Sequence, residues 1–309
     1  MAPAQIHFII NPRSSGGNTG RNWQEMESAI RRGIGEFTYE FTEERGSAIA
    51  QTARAIKNKA DTIVVVGGDG TVSEVVNGFF EPGLPAKKPN IVILNQGTGG
   101  DFCRTIGAPA DLNLALDSIK TGRQIKVDVG RIKFIDASGQ NAIRYFINVA
   151  GCGMAGEVVQ AINRSSKRFG GFSYFLVSAQ KLFTYRKKKL TIQVDGGRVE
   201  KHEVVTAAIC NGQFFGGGMQ ISPGSRLGDG HFELVLIEDW NFLQSLWYSK
   251  NLYNGTIARC KGVTTRSIQK VWIESENAED HAIIDCDGED IGRAPLQIEI
   301  IPGAVTFRV

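Results

Sequence analysis

Two acidic turns that lie far apart in the chain carry the residue types that phosphate chemistry requires. In the first, Gly67-Gly68-Asp69-Gly70, three glycines allow close backbone approach and positive φ. Free N–H groups at the start of a following helix favour an anion, most plausibly phosphate. A carboxylate beside a polyphosphate is repelled unless a divalent cation lies between them, so Asp69 indicates a nucleotide with Mg²⁺. An ordinary strand-to-helix turn is an equally good interpretation of these residues alone.

The second turn, Asp285 to Asp290, places four carboxylates in six residues. Such density is repulsive unless the groups are solvated, bound to metal or raised in pKa. Asp287-Gly288 favours a hairpin turn, after which Glu289 begins the return strand. Glu289 is a candidate general base if it faces a ligand. The spacing alone favours a solvated turn.

Two further glycine motifs have competing interpretations. Asp229, between Gly228 and Gly230, can hold a hard cation with neighbouring carbonyls, although the spacing alone favours a plain turn. Gly151 to Gly156 is a formal G-x-G-x-x-G. A dinucleotide site needs an acidic residue about 20 positions later, and no Asp or Glu occurs between Glu157 and Asp195. We therefore predict a tight turn facing a cleft. No Walker A motif occurs in the chain.

The elements around the first turn alternate between strand and helix, which predicts a parallel sheet covered on both faces. Four apolar residues, Ile63 to Val66, form a buried strand, and Thr71 caps a helix that runs to about Phe80. A second glycine-rich loop, Asn95 to Arg104, leaves the next strand. Ligands bind beyond the carboxyl ends of such strands. The remaining strands are predicted at 6–10, 37–42 and 91–94, and the helices at 21–34, 47–59 and 111–120.

After about residue 125 the pattern changes to strands joined by hairpin turns, which predicts an antiparallel sandwich with two helical insertions. The domains are expected at 1–128 and 129–309, with the last strand returning to the first domain as an option. No flexible linker separates them, so we expect close packing with a cleft between. The strands are predicted at 125–135, 143–150, 190–194, 199–210, 232–237, 267–275, 281–285 and 296–301, and the insertions at 154–185 and 241–253.

Composition is that of a soluble globular protein: 309 residues, 42% apolar, 22% charged and a net charge of +3. This charge gives no reason to expect nucleic acid. Five scattered cysteines without C-x-x-C make zinc and disulfides unexpected and favour a cytoplasmic setting. We expect neither a signal peptide nor a membrane span. Lys181 to Leu190, basic and preceded by aromatic residues, slightly favours peripheral membrane contact over a solvated helix face. A homodimer stays an open alternative.

Taken in order, these motifs resemble the diacylglycerol kinase catalytic-domain family of lipid kinases, over nearly the whole chain. The most specific motif is Gly67 to Thr71, which soluble NAD kinases share. Gly97 to Arg104 resembles the family's second loop, and Asp128 matches an aspartate that follows its first domain. The resemblance implies an N-terminal Rossmann-like α/β parallel-sheet domain, a C-terminal antiparallel β-sandwich that takes the lipid, and ATP with Mg²⁺.

The resemblance also implies roles for individual residues. Glu289, in Asp287-Gly288-Glu289, would accept the proton of the lipid hydroxyl, with Asp69 as the other catalytic residue. A structural Mg²⁺ would be held by the Asp229 carboxylate and the carbonyls of Arg226 and His231. The expected nucleotide-binding residues are Asn11, Pro12, Arg13, Ser14, Ser15, Thr42, Gly67, Gly68, Asp69, Gly70, Thr71, Glu74, Thr98 and Asp101.

Two positions depart from the family pattern, because Gln96 and Gly100 stand where the family has Pro and Asn. Asn95-Gln96-Gly97 is closer to the loop of NAD kinases. The expected function is ATP-dependent phosphorylation of a lipid hydroxyl. The leading candidate reaction is diacylglycerol to phosphatidic acid. The alternatives are a sphingoid or other lipid acceptor, an NAD kinase-like soluble acceptor, and a regulator that binds without catalysis.

Overall fold

The computed structural model describes residues 5–97, 99–154, 156–158, 160, 185, 187–238, 240–277 and 282–309. The chain divides into two compact units. The first comprises Met1–Val127 and Gly303–Val309, and the second comprises Asp128–Pro302.

The first unit alternates strands and helices as its hydrophobic periodicity predicts. Apolar residues at Trp23 and Ile30 give one buried face to the first long helix. The strands are β1 (Ile6–Ile10), β2 (Thr38–Phe41), β3 (Thr62–Gly67) and β4 (Asn90–Asn95). The helices are α1 (Asn18–Arg21), α2 (Trp23–Ile34), α3 (Ser47–Lys57), α4 (Asp69–Gly78), α5 (Asp101–Ile106) and α6 (Leu112–Thr121), with a short 3-10 helix at Ser14–Gly17.

The sheet of this unit pairs β1 with β2 and β3, and β3 with β4, each pair parallel. Phe307, near the end of the chain, pairs with Ile91 of β4 in the same direction. Every residue of β3 is buried. A strand covered on both faces needs a continuous apolar run, which Ile63 to Val66 supplies. Asn11, Thr42, Gly68 and Gln96, which follow the four strands, therefore lie at one edge of the sheet.

Two local predictions in this unit are wrong. Thr71 does not cap α4: the helix begins at Asp69, and its N-cap, Gly68, makes no side-chain hydrogen bond. The predicted loop from Asn95 to Arg104 ends early, because Asp101–Ile106 forms α5. Gly100, with φ of 63°, provides the left-handed residue before that helix.

The described residues of the second unit form mostly strands, together with one long helix. The strands are β5 (Gln124–Ile135, which begins in the first unit), β6 (Asn141–Phe146), β7 (Val149–Gly153), β8 (Lys188–Val194), β9 (Val199–Cys210), β10 (Phe214–Phe215), β11 (Met219–Gln220), β12 (Phe232–Glu238), β13 (Val263–Ile268), β14 (Lys270–Ser275), β15 (Ile283–Cys286) and β16 (Glu289–Arg308). The helix is α7 (Phe242–Tyr253), followed by a 3-10 turn at Ile257–Arg259.

Neighbouring strands of this unit pair in antiparallel fashion, and β9 pairs with β7, β8 and β12. β15 lies between β7 and the first part of β16. Alternate residues of β9 enter two separate apolar clusters: Ala207 and Ile209 join one, and Ala208 and Cys210 join the other. The coarse prediction, an α/β unit followed by a β unit, is confirmed; the Rossmann likeness of the first sheet stays a prediction.

Three predictions in this unit need correction. The strand predicted at 143–150 is two strands, interrupted at Ile147 and Asn148. The strand predicted at 267–275 is also two, with Gln269 between them. The G-x-G-x-x-G stretch is no tight turn at its start, because Gly151 and Gly153 lie within β7. There, a Cβ on Gly151 would lie 2.3 Å from the Ala207 carbonyl oxygen, so close strand packing requires this glycine.

Two predictions fall largely outside the described residues, namely the helical insertion at 154–185 and the membrane contact of Lys181 to Leu190 with the aromatic residues before it. Among the residues that the structure does describe, no helix is long and apolar enough to cross a bilayer.

Candidate functional site

The two glycine loops of the first unit touch through their backbones. A Cβ on Gly97 would lie 2.5 Å from the Gly68 Cα, and one on Gly68 would lie 3.0 Å from the Gly97 Cα. The Gln96 N–H donates to the Gly67 carbonyl at 2.9 Å. The loops that leave β3 and β4 therefore form one surface, and only glycine fits at their contact.

Asp69 fastens this surface to α5. Its Oδ2 accepts the Asp101 N–H at 2.9 Å, and its Oδ1 accepts the Phe102 N–H at 3.3 Å. The carboxylate thus occupies two N–H groups at the start of α5. Burial raises the pKa of Asp69; the hydrogen bond from Asp101 opposes this rise, and the Asp101 carboxylate adds to it. A cation at this carboxylate would compensate for the burial of its charge.

Asp101 is itself buried and paired. Arg104 Nη1 donates to its Oδ1 at 2.7 Å, one turn along α5. The pair fixes the first turn of α5, whose N–H groups bind Asp69. Asp101 therefore acts on the surface through Asp69.

The loop after β1 joins the same surface. Asn11 Nδ2 donates to Thr71 Oγ1 at 3.1 Å, and the Asn11 Oδ1 accepts the Arg13 N–H at 3.0 Å. Ser14 Oγ donates to the Asn11 carbonyl at 2.7 Å. Ser15 has a φ of 53°, an uncommon conformation for a serine, within the 3-10 turn. Asn11 thus ties the first loop to α4.

The other predicted residues of this unit differ in their surroundings. Thr42 is buried, and its N–H donates to the Ile10 carbonyl beside the first loop at 2.8 Å. The Pro12 carbonyl accepts the Gly20 N–H at 3.1 Å. Glu74 is directed to α3, where its Oε2 accepts the Ala48 N–H at 3.2 Å, so it supports the start of another helix. Thr98 lies outside the described residues.

In the second unit, Asp287 and Gly288 form the hairpin turn between β15 and β16, with φ of 49° and 83°. The Asp287 carboxylate accepts three backbone N–H groups: those of Ile147 at 3.1 Å, Asn148 at 3.0 Å and Val149 at 3.2 Å. These contacts explain why the chain breaks between β6 and β7, and they hold the acidic turn in one position. Asp287 is therefore a structural anchor and no solvated turn residue.

Glu289, the predicted proton acceptor, forms an ion pair with Arg144. Arg144 Nη2 donates to Glu289 Oε2 at 2.9 Å, and only 13% of the glutamate side chain and 20% of the arginine side chain are exposed. Because Arg144 comes from the adjoining part of the unit, on β6, it fixes the direction of the carboxylate at the start of β16.

Asp285 is a second buried carboxyl group beside this pair. Its Oδ1 accepts the Gly288 N–H at 2.9 Å. Burial raises the pKa of Asp285 to about 7; the hydrogen bond from Gly288 opposes the rise, and the charges of Asp287, Asp290 and Glu289 add to it. A pKa near 7 means that Asp285 carries its proton in part of the molecules at neutral pH.

The Asp229 loop is held by Asp128. The Asp128 carboxylate accepts the Gly230 N–H at 2.8 Å, and its own N–H donates to the Leu227 carbonyl at 2.6 Å. Asp229 is exposed, and its Oδ1 accepts the His231 N–H at 3.1 Å. Arg226 and His231 are exposed as well.

Asn211 links this loop to the acidic turn through buried polar groups. Its Nδ2 donates to the Asp128 carbonyl at 2.8 Å and to the Ile147 carbonyl at 2.7 Å. The Ile147 N–H in turn donates to Asp287. Asn211 is fully buried, so the chain of hydrogen bonds is shielded from water and geometrically fixed.

The oxygen ligands available at the Asp229 loop are of the types that bind a hard cation. One carboxylate and backbone carbonyls, as at Asp229, are the ligands that Mg²⁺ and Ca²⁺ accept. No cluster of three or more His, Cys, Asp or Glu side chains able to hold a metal occurs among the described residues. Any metal here therefore depends on carbonyls, water or phosphate oxygens for its other ligands.

Sequence reasoning missed Arg144, Asn211 and the structural role of Asp287. Arg144 and Glu289 are 145 positions apart, and Asn211 and Asp128 are 83 apart. One weak signal existed: Arg144 and Asn211 are polar positions within or next to predicted apolar strands, where an unpaired polar group would be costly.

The fold, an α/β unit followed by an antiparallel β unit, is similar to that of solved diacylglycerol kinase and NADH kinase structures. A crystal structure of a diacylglycerol kinase from Bacillus anthracis, strain Sterne, matches with a TM-score of 0.72 at 21% identity, covering 100% of this chain and 97% of that one. Yeast NADH kinase in complex with NADH matches with a TM-score of 0.58 at 12% identity, over 99% and 83% of the two chains. At these identities the likeness concerns the fold.

Sequence comparison identifies the family to which the chain belongs. Residues 5–132 match the family model of the diacylglycerol kinase catalytic domain, and residues 148–309 match that of the YegS C-terminal NAD kinase beta sandwich-like domain. A diacylglycerol kinase of Staphylococcus carnosus is 30% identical over 241 residues, covering 78% of this chain and 74% of the relative. The chain belongs to the diacylglycerol kinase family. The resemblance inferred from the motifs is thereby confirmed, as is the predicted class of enzyme, a kinase with a hydroxyl acceptor.

Proposed function

We propose that this protein is an ATP-dependent lipid kinase that converts diacylglycerol to phosphatidic acid. The observation that carries the proposal is the backbone contact between Gly68 and Gly97, with Asp69 at the junction, in a member of this family. Two strand-exit loops that meet without side chains allow a polyphosphate to approach their backbones closely.

We assign ATP to the first unit, whose sheet would then act as a Rossmann-like nucleotide platform. The β- and γ-phosphates would lie at the start of α4, where Gly70 has no neighbouring atom that a Cβ would meet within 4 Å. Asn11, which is tied to Thr71, would place the first loop against the nucleotide. Lipid binding falls to the second unit.

Asp69 fits a role in holding Mg²⁺, because its carboxylate is buried and has a raised pKa, which a cation would offset. When bound, Mg²⁺ neutralises charge that develops on the phosphate oxygens. The Asp229 carboxylate, with the carbonyls of Arg226 and His231, is proposed for a second, structural Mg²⁺. Asp128 would orient that loop through its bond to Gly230.

Glu289 is proposed to accept the proton of the lipid hydroxyl. The hydroxyl oxygen then forms a bond to the γ-phosphorus as the bond from that phosphorus to the bridging oxygen breaks, and ADP leaves. Arg144 would aim the carboxylate at the hydroxyl, and Asp287 would fix the turn that carries it. Most of the rate would come from this positioning and from neutralisation of charge.

The test is incubation with labelled ATP and Mg²⁺, separately with diacylglycerol, ceramide, sphingosine, phosphatidylglycerol and, without detergent, NAD. We expect labelled phosphatidic acid from the wild type and a loss of at least about a hundredfold in kcat for Asp69→Ala and Glu289→Gln. Transfer to NAD alone would favour the soluble acceptor, and transfer to another lipid would change the substrate. No transfer to any lipid would overturn the proposal.

Matched controls separate these effects from surface charge. Asp117 is an exposed aspartate on α6, and Glu274 is an exposed glutamate on β14. Asp117→Ala and Glu274→Gln should keep wild-type kcat and KM. Equal losses in the control and site variants would mean that neither site residue acts in transfer.

A further inference from the structure

Helix α7 has an apolar face that the fold uses. Tyr248 packs against Trp240, with ring centroids 5.0 Å apart, and Leu252 packs against the same cluster. A capping box starts the helix: Asn241 Oδ1 accepts the Gln244 N–H at 2.9 Å, and Gln244 Oε1 accepts the Asn241 N–H at 3.0 Å. One face and one end of the helix are therefore already fixed.

A second apolar face of the same helix is exposed. Leu243 is 72% exposed, Leu246 is 53% exposed and Trp247 is 67% exposed. The spacing of Leu243, Leu246, Trp247 and Lys250 places them on one side of the helix. Three large apolar side chains in adjacent turns exceed the scattered single exposures that are normal on a protein surface. We call these four residues the α7 face.

The charged residues of α7 and of the segment that follows it, up to Gly262, are all basic. Lys250 lies over the Trp247 ring, with its Nζ 4.2 Å from the ring centroid. Arg259 follows in the 3-10 turn that packs against α7. Lys261 is exposed, and its carbonyl accepts the Trp240 Nε1–H at 2.7 Å. No Asp or Glu occurs in the sequence between Trp240 and Gly262.

We propose that the α7 face docks on the surface of a bilayer that contains anionic phospholipid. Leucine and tryptophan side chains enter the boundary between headgroups and acyl chains, and Lys250, Arg259 and Lys261 contact the headgroups. Tryptophan is suited to this boundary, because its ring is apolar and its N–H is polar. The basic charge of α7 and of the segment that follows it favours an anionic surface over a partner of mixed charge.

This inference deepens the proposed function, since it states where the enzyme would meet the membrane that holds its substrate. It does not depend on turnover, because docking needs neither nucleotide nor diacylglycerol. The two claims can therefore fail separately.

The experiment is sedimentation of the full chain with vesicles of phosphatidylcholine alone or mixed equally with phosphatidylglycerol. We expect binding to the mixed vesicles, weakened by salt. Leu246→Ser should weaken the partition coefficient about tenfold through loss of apolar burial. Lys250→Gln should weaken it about fivefold through loss of one basic contact. Trp247 fluorescence should be quenched by lipids brominated on their acyl chains, and Trp247→Phe should remove most of that quenching.

Leu114→Ser is the matched control, because Leu114 is a leucine on a helix of the first unit and is 59% exposed. It should leave vesicle binding unchanged. Equal loss in Leu114→Ser and Leu246→Ser would overturn the proposal, and so would wild-type binding that Leu246→Ser and Lys250→Gln leave intact. A dimer in solution that Leu246→Ser dissociates, without vesicle binding, would overturn it in favour of a second copy as the occupant.

Activity on a dispersed short-chain diacylglycerol separates the two claims. Docking variants should keep this activity while losing activity on vesicles. Turnover of the short-chain lipid without vesicle binding by the wild type would reject docking alone. Vesicle binding without turnover of any lipid would reject the kinase proposal alone.

Discussion

Replacement of Gly97 by alanine tests whether the two glycine loops act as one surface. The added methyl group would lie 2.5 Å from the Gly68 Cα and 3.4 Å from its nitrogen. Carbon atoms in contact prefer about 3.5–4.0 Å, so the loops must separate by roughly 1 Å. The Gly68 Cα belongs to the backbone, so no side-chain rotation relieves this contact.

The magnitude follows from the overpacking. Forcing a methyl group into a closed contact costs about 1–3 kcal/mol, and we expect Gly97→Ala to lower the free energy of unfolding by that amount. The separation also moves Gly67, whose carbonyl accepts the Gln96 N–H at 2.9 Å. Since both loops would contact the nucleotide, the Kd for ATP should rise at least tenfold.

Gly70→Ala is the matched control within the same motif. A Cβ at Gly70 meets nothing within 4 Å, and its φ is not positive. Alanine in the first turn of α4 should raise the free energy of unfolding by about 0.5–1 kcal/mol. If phosphate lies against this turn, the same methyl group lowers ATP affinity. The two variants should thus change stability in opposite directions, while both weaken the binding of ATP.

Urea unfolding followed by circular dichroism gives the stabilities, and calorimetric titration with ATP and Mg²⁺ gives the affinities. Unchanged stability and affinity in Gly97→Ala would refute the argument that these loops are joined through glycine. Unchanged ATP affinity in a folded Gly70→Ala would place the phosphates elsewhere.

Three further variants test the second unit. In the folded protein the pKa of Asp285 is about 7, whereas in the unfolded chain it has its ordinary value of 3.8. The folded state therefore binds the proton more tightly, and the free energy of unfolding falls as pH rises between these two values. Asp285→Asn should flatten that dependence in urea unfolding at several pH values. Arg144→Met leaves Glu289 partly buried without its ion pair and should lower the free energy of unfolding by about 3 kcal/mol, partly recovered in the double variant with Glu289→Gln. Asn211→Ala removes two buried hydrogen bonds and should lower stability by about 2–4 kcal/mol and lower kcat as well, measured by urea unfolding and labelled-ATP transfer.

The elements that the sequence predicts well are those in which composition alone decides the structure. Ile63 to Val66 could only be a buried strand, and β1 has the predicted bounds, Ile6–Ile10. The Asp287-Gly288 turn also follows from local chemistry, because both residues tolerate positive φ. Local propensity is sufficient where no distant residue competes.

Predictions fail where a distant contact overrides the local pattern. The break at Ile147 and Asn148 exists because Asp287 accepts their N–H groups, 140 and 139 positions away. Helix α5 is only six residues long, and four of its neighbours in sequence are glycine or polar, so periodicity carries no signal there. Its start is fixed by Asp69, 32 positions earlier.

The same distinction applies to the site. Residue types made Asp69 and Glu289 candidates, since few side chains serve a metal–phosphate centre or accept a proton, and their roles stay predictions. Their partners could not be identified, because Arg144 is one of 35 basic residues, and only the pairing of distant strands brings it to Glu289.

Asp69 shows why the acidic residue in a phosphate-binding turn has to be considered together with its neighbours. By accepting two N–H groups of α5, it removes from that helix the groups that would otherwise attract an anion. We therefore expect the phosphates at the start of α4, at the N–H groups before Thr71, whose own N–H donates to the Gly68 carbonyl at 2.9 Å. The same two hydrogen bonds hold a charged carboxylate at the junction against the rise in its pKa that burial causes. A polyphosphate arriving there would raise that pKa further, and a divalent cation would reverse the rise. If ATP binds here as we propose, the protein's own contacts would therefore favour ATP with its metal over ATP alone.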